Sequence, residues 1–169
     1  MRKELIKAIA FDCFNTVFVL HREHYDQVKD YSKHVNKAEF TPYRFPDSWY
    51  ELDSHADAVE GIRILREKGY YCVAMSNGSP DLILSNSQRS GIIWDYIMDL
   101  AKHKVYKPNP DAYPLIQLET GICSENVLMV TANPTFGDVE GSQLCGMQSC
   151  IVSRSGNCKF DILDLAHSL

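Results

Sequence analysis

The stretch Ala8-Ile9-Ala10-Phe11-Asp12-Cys13-Phe14-Asn15-Thr16-Val17 decides how the rest of the chain is read. A short apolar run, Ile6 to Phe11, ends abruptly on a carboxylate. A run apolar on both faces predicts an inner strand of a parallel sheet, covered by helices on both sides. An Asp directly after such a strand stands at the C-terminal edge of the sheet, where open α/β folds bind their ligands. A lone Asp there is more often a turn or strand cap, so the reading depends on what stands at the other strand ends.

Working outward, four further strands are predicted, at Tyr71 to Met75, about Tyr96 to Met98, Val127 to Val130 and Cys150 to Val152. They alternate with helical stretches, the pattern of an α/β fold with a central parallel sheet in a three-layer, Rossmann-like arrangement. Ser54 with Asp57 reads as a capping box, followed by the stripe Ala58, Val59, Ile62 and Leu65, with Gly69 as the stop. A second helix starts near Pro80 and ends before Gly91. A third is expected from Asn109 as N-cap and Pro110 to Gly121. A fourth covers Val139 to Cys145, where Gly141 would let backbone approach the sheet, and Phe160 to Leu165 closes the chain. Residues 1–169 read as one domain. The segment 21–52, polar and aromatic, breaks the pattern as an insertion after the first strand and a natural lid over the strand ends.

Bulk composition narrows the function classes. The chain has 169 residues, 45% hydrophobic and 23% charged, with a net charge of −5. That balance argues against nucleic acid, which is met by basic surfaces. No apolar run reaches the length of a membrane span, and the N-terminus lacks a signal pattern. The six cysteines, Cys13, Cys72, Cys123, Cys145, Cys150 and Cys158, have no CxxC spacing. They read as free, mostly buried thiols in a reducing compartment, so a cytoplasmic location is expected.

Three more polar stretches fall at strand ends. Ser76-Asn77-Gly78-Ser79-Pro80 joins a strand to a helix start, whose free amides favour negative charge. Tyr106-Lys107-Pro108-Asn109-Pro110 aims a lysine along a chain fixed by two prolines. Thr131-Ala132-Asn133 and Gly137-Asp138 follow the fourth strand. Each alone could be an N-cap or surface polarity. Together they gather a carboxylate, an ammonium and small polar groups at one edge.

These four stretches resemble the four motifs of the haloacid dehalogenase-like superfamily, in order and across nearly the whole chain. Asp-x-aromatic-x-Thr, Ser-Asn-Gly-Ser-Pro and Tyr-Lys-Pro-x-x-x-x-Tyr are most similar to its 2-haloacid dehalogenase branch. The resemblance implies a hydrolase in which Asp12 is the nucleophile and forms a covalent ester. It implies that Thr16 steadies the Asp12 loop and that Ser76 bonds the nucleophile or the substrate carboxylate. Asn77 would help hold the leaving group, and Lys107 would orient Asp12. Tyr113 matches a second tyrosine of the branch. Thr131, Asn133 and Asp138 would line the floor, Asp138 fixing Lys107 and the hydrolytic water. Physical chemistry supports the set: positioning strengthens a weak carboxylate nucleophile, and a neighbouring cation keeps it ionised.

Most of that superfamily are magnesium phosphatases with a second Asp where this chain has Phe14. Phenylalanine cannot protonate a leaving oxygen, whereas a departing halide needs no proton. The phosphatases also use an acid where Asn133 stands. Asp12, Asp138 and Lys107 leave one net negative charge, a poor trap for Mg²⁺. The expectation is therefore a metal-free, cofactor-free dehalogenase acting on a small carboxylate, with no nucleic-acid or membrane partner. Self-association to a homodimer stays open. A Mg²⁺-dependent phosphatase and a catalytically idle binding protein of the same fold are the alternatives. The insertion is short for the branch, which uses a cap arginine on the substrate. Arg44, placed with the substrate-binding residues, and Arg22 are the candidates by location. Tyr43, Phe45 and Trp49 are expected to form an apolar wall, and Asn15 replaces the glycine usual in the first motif.

Overall fold

A computed structural model describes residues 1–155 and 160–169. Five strands, β1 (Ala8–Phe11), β2 (Tyr71–Ala74), β3 (Tyr96–Ile97), β4 (Val127–Thr131) and β5 (Gln148–Ile151), form one sheet in the order β3-β2-β1-β4-β5. All pairings are parallel, with Phe11 in register with Ala74 and Val130. The strand order reverses across β1 and β4. Their following loops diverge and open a crevice at the C-terminal edge, as a topological switch point does. Asp12 and Asn133 lie on those two loops.

Alternation along each strand sorts the core into two layers. Ile9, Phe11, Leu128 and Val130 pack on one face with Ala58, Ile62 and Leu65 of α3 (Ala56–Glu67), Leu82 and Ile83 of α4 (Pro80–Ser90), and Ile162 and Leu165 of α7 (Ile162–Ser168). Ala8, Ala10 and Met129 pack on the other with Ala112, Tyr113 and Ile116. Both faces are covered, which accounts for the burial of β1 and β4 on both sides.

Several local expectations are corrected. Ser54 and Asp57 form no capping box: His55 is the N-cap, without a side-chain cap bond. Asp57 is used elsewhere, pairing with Arg154 and accepting from the Ile162 amide. The single helix expected from Pro110 to Gly121 is broken. A 3-10 turn, Pro110–Ala112, capped by the Asn109 side chain, is followed by α5 (Leu115–Thr120). Pro114 divides them, because proline offers no N–H and its ring clashes with the preceding turn. In α6 (Asp138–Leu144), Gly141 makes room for a ring rather than for the sheet: a Cβ there would lie 2.1 Å from Tyr113 Cε2. The last helix starts two residues later than expected and runs to Ser168. Cys13 and Cys72 are buried free thiols, but Cys123 is exposed; Cys158 lies outside the described residues.

The segment after β1 contains α1 (Arg22–Gln27), α2 (Tyr31–Val35) and a 3-10 turn, Asp47–Glu51. Its second half is tied to α4. Asn86, fully buried, donates to the Trp49 carbonyl at 2.8 Å and accepts from the Leu52 amide at 2.9 Å. Phe45, Trp49 and Leu52 are buried in the adjoining core layer.

Candidate active site

Asp12 follows the last β1 residue, its amide bonded to the Val130 carbonyl at 2.9 Å. The chain then turns at Asn15, which takes a left-handed φ of 61°. Asparagine tolerates that region better than most residues, so it can replace glycine at this turn. The turn brings Thr16 back onto the carboxylate.

Asp12 is held from three sides. Thr16 Oγ1 donates to Oδ2 at 2.7 Å and Asn133 Nδ2 to the same oxygen at 2.8 Å. Lys107 Nζ donates to Oδ1 at 2.9 Å. Thr16 Oγ1 itself accepts from the Ala132 amide, which ties the β1 and β4 loops together. The Lys107 side chain is 1% exposed and also meets Asp138 at 3.1 Å. Asp138 is wholly buried, with Tyr113 Oη donating to Oδ1 at 2.8 Å and Thr131 Oγ1 to Oδ2 at 3.0 Å.

These contacts set the charge states. Burial raises the Asp12 carboxyl above its ordinary range, the Lys107 ammonium opposes that rise, and the Asp138 charge adds to it. Burial works against the Lys107 cation, yet the two facing carboxylates outweigh it and hold Lys107 above the usual lysine value. The ammonium is thus locked in place rather than available for proton transfer.

Above Asp12 lies a cavity of about 190 Å³, small beside the pockets of drug-sized ligands. Its floor carries Asp12, Ser76, Asn77, Lys107 and Asn133. Phe14, Phe45 and Trp49 form an aromatic wall, with Phe14 4.8 Å from Trp49 and 5.0 Å from Phe45 between ring centroids. Asn77 spans the floor: Oδ1 accepts from the Lys107 amide and Nδ2 donates to the Lys107 carbonyl, each at 2.8 Å.

Asp12, Phe14, Ser76, Asn77, Lys107 and Asn133 therefore converge as expected. Thr16, Tyr113, Thr131 and Asp138 are not in the cavity wall; they stand behind it and hold the wall in place. Arg44 is exposed and outside the cavity, as is Arg22. A charged side chain on a short segment is cheaper to leave in water than to turn into an aromatic wall. Tyr43 also stays outside the lining, packed edge-to-face against Tyr31 and Phe45.

No family model matches the chain. It is 30% identical to haloacetate dehalogenase H-2 of Moraxella sp. (strain B) over 115 residues, 67% of this chain and 50% of that protein. It is 26% identical to an (S)-2-haloacid dehalogenase of Pseudomonas sp. (strain YL) over 113 residues, 66% of this chain and 48% of that one. The chain thus spans about half the length of the curated relatives it matches. Its structure superposes on an L-2-haloacid dehalogenase of Xanthobacter autotrophicus, with chloropropionic acid covalently bound, at a TM-score of 0.74 and 21% identity, covering 90% of this chain and 79% of that one.

The chain belongs to the haloacid dehalogenase-like superfamily. Its sequence relatives set it beside the 2-haloacid dehalogenase branch of that superfamily. The fold alone does not distinguish the branches. A superfamily enzyme of Bacteroides thetaiotaomicron, in complex with magnesium and inorganic phosphate, superposes at a TM-score of 0.64 with 14% identity. The side chains bear on the choice. Asp12 and Asp138 share the Lys107 ammonium between them, and Asn133 offers Asp12 an amide where a further carboxylate would be needed. Among the described residues no group of three or more His, Cys, Asp or Glu is placed to hold a metal ion. The residues present fit Mg²⁺ poorly, because the two carboxylates, with Lys107 lodged between them, leave one net negative charge.

Two residues of this superfamily member escaped the sequence reading. Arg154, beyond β5, donates Nε to the Thr16 carbonyl at 2.9 Å and Nη1 to Asp57 at 2.7 Å. It braces the Asp12 loop from behind. Tyr31 enters the cavity from α2, its hydroxyl 2.5 Å from Asn77 Nδ2. Neither stands in a motif. For Tyr31 the only signal was its place in an aromatic-rich segment.

Proposed function

We propose that the chain is a hydrolase that cleaves the carbon–halogen bond of a short 2-halo acid through an Asp12 ester. One observation carries the reading: a buried carboxylate, 2.9 Å from an ammonium, faces a small apolar cavity in which position 14 offers an aromatic ring and no acid. Oδ2 is engaged by two donors and Oδ1 by one, so Oδ1 retains a lone pair for attack. Attack on the halogen-bearing carbon forms a C–O bond as the C–X bond breaks, and halide leaves with the electron pair. Water then adds to the ester carbonyl, releasing the hydroxy acid, a proton and the Asp12 carboxylate. Fixed geometry and exclusion of water supply most of the rate.

A substrate carboxylate has no arginine in this cavity. The donors that suit it are Ser76 Oγ and the backbone amides of Ser76 and Asn77, which follow the last ladder bond of β2 at Met75. Asp138 supports this chemistry by holding Lys107. Its burial outside the cavity lends no support to the further role of fixing a hydrolytic water. The reading calls for no cofactor. The buried thiols Cys13 and Cys72 suit a reducing compartment, the cytoplasm. No helix of the described residues is long and apolar enough to cross a membrane.

Incubation with chloroacetate and 2-chloropropionate, with EDTA and with Mg²⁺, tests this. Halide release indifferent to both, and lost in Asp12→Asn, is expected. Turnover of p-nitrophenyl phosphate that requires Mg²⁺, with no halide released from either acid, contradicts it.

A further inference from the structure

A halide leaving a cavity this apolar needs a hydrogen-bond donor, and the donors around Asp12 are largely spent. Lys107 is shared between Asp12 and Asp138. Asn133 Nδ2 donates to Asp12 and to the Phe14 carbonyl. Trp49 Nε1 is turned to Gln27. Asn77 has only two N–H bonds, and both are used, one on the Lys107 carbonyl and one on the Tyr31 hydroxyl.

The last contact changes what Tyr31 can do. Its oxygen accepts from Asn77, and among the described residues its own hydrogen has no acceptor. A hydroxyl that already accepts a hydrogen bond is a stronger donor. The ring is fixed by Tyr43, at 4.9 Å and nearly perpendicular, and by Phe45 at 5.6 Å. Tyr31 lines the same cavity as Asp12 and Phe14. Tyr25 also lines the cavity, but it is half exposed and among the described residues no protein group orients its hydroxyl. Tyr31 brings a better buried, oriented O–H to a wall that has no arginine.

We propose that the Tyr31 hydroxyl, oriented by Asn77, is the hydrogen-bond donor that receives the departing halide. This rests on the dehalogenase reading given above. No proton moves: the C–X electron pair goes to the halide, and the Tyr31 O–H solvates the charge as it forms. Because the bond strengthens as charge develops, it acts on the transition state more than on the bound substrate. Chloride accepts hydrogen bonds more strongly than bromide, so the contribution is larger for chloride.

The test compares chloroacetate with bromoacetate in single-turnover halide release, wild type against Tyr31→Phe. The variant keeps the ring and its stacking. Chloride release is expected to fall on the order of ten- to a hundredfold, the range for a hydrogen bond to a charged group. Bromide release falls several-fold less, so the bromide-to-chloride rate ratio rises. Equal losses for both halides would assign Tyr31 a packing role and overturn the proposal, as would no loss. Should Tyr31→Phe fail to fold, 3-fluorotyrosine at position 31 keeps ring and hydroxyl and sharpens the donor. It then raises the chloride rate relative to bromide, and an unchanged ratio overturns the proposal. A wild type that releases no halide, or an Asp12→Asn variant that still does, refutes the dehalogenase reading instead.

Discussion

Lys107 Nζ stands 2.9 Å from Asp12 Oδ1 with its side chain 1% exposed, a charge pair carried into the interior. Asp138 meets the same ammonium from the far side. Removing the cation leaves two buried carboxylates facing each other. Lys107→Met is expected to abolish activity and to lower stability by about 3–5 kcal/mol, the usual cost of breaking a buried pair by removing one partner. Urea denaturation checks it, and a loss below about 1 kcal/mol would mean that the pair is far better solvated than its burial implies.

Asp12→Asn should behave differently. Burial lifts the Asp12 carboxyl above its ordinary value, with Lys107 opposing and Asp138 adding to the rise. A carboxyl raised in the folded state contributes stability below its unfolded pKa and loses it as pH rises, so at pH 7 ionised Asp12 is a cost. The inactive Asp12→Asn protein is therefore expected to melt no lower than wild type at pH 7.

The same shift sets the acid limb of activity. Attack requires ionised Asp12, so halide release should fall on acidification with a midpoint above the ordinary aspartate range. Removing the negative neighbour with Asp138→Asn should move that midpoint to lower pH, whatever activity remains. A pH–rate profile for both proteins decides, and a shift to higher pH would contradict the coupling.

His55 predicts a second pH effect, on stability alone. Burial, then the nearby Arg154 charge, depress its pKa to about 4, against a smaller opposing pull from Asp57. Its buried Nε2 has no hydrogen-bond partner among the described residues. The unfolded chain binds a proton that the folded chain refuses, so stability is lost as pH falls from about 6.5 towards about 4. His55→Gln should flatten the melting temperature across that window.

Gly141 and Tyr113 give a packing prediction. A methyl group at 141 would overlap the Tyr113 ring, which is wholly buried and carries the bond to Asp138. Gly141→Ala is expected to cost about 1–3 kcal/mol through overpacking and to slow halide release by displacing Asp138. Thermal melting and single-turnover rates check the two parts separately.

The fold was legible because its signals are local. Each strand is a short apolar run, and Gly91 and Gly121 mark helix ends by their left-handed backbone. The residues that converge on Asp12 were legible because each follows a strand end, and a parallel sheet brings all such ends to one edge. What failed depends on distant partners. Asp57 looked like a cap, but Arg154, far along the chain, claims its side chain. Pro114 interrupts a helical pattern that runs on both sides of it, and the pattern is the stronger signal in the sequence. Arg44 was placed by its position in the segment after β1, and nothing in a sequence says whether such a side chain turns inward. Asn133, in the cavity wall, and Thr131, behind it, are two residues apart, a spacing that strand alternation would put on one face. But β4 ends at Thr131, and the loop that follows separates them in a way the period of two does not show.

The central claim is that Asp12 becomes covalently attached and is then released by water. Turnover of chloroacetate in ¹⁸O-labelled water, followed by mass spectrometry of the peptide containing Asp12, tests it most directly. The account predicts ¹⁸O in the Asp12 carboxylate, with the oxygen of the first-turnover product drawn unlabelled from the protein. Label appearing in that first product while Asp12 stays unlabelled would mean that water attacks the substrate itself, and the account would be wrong.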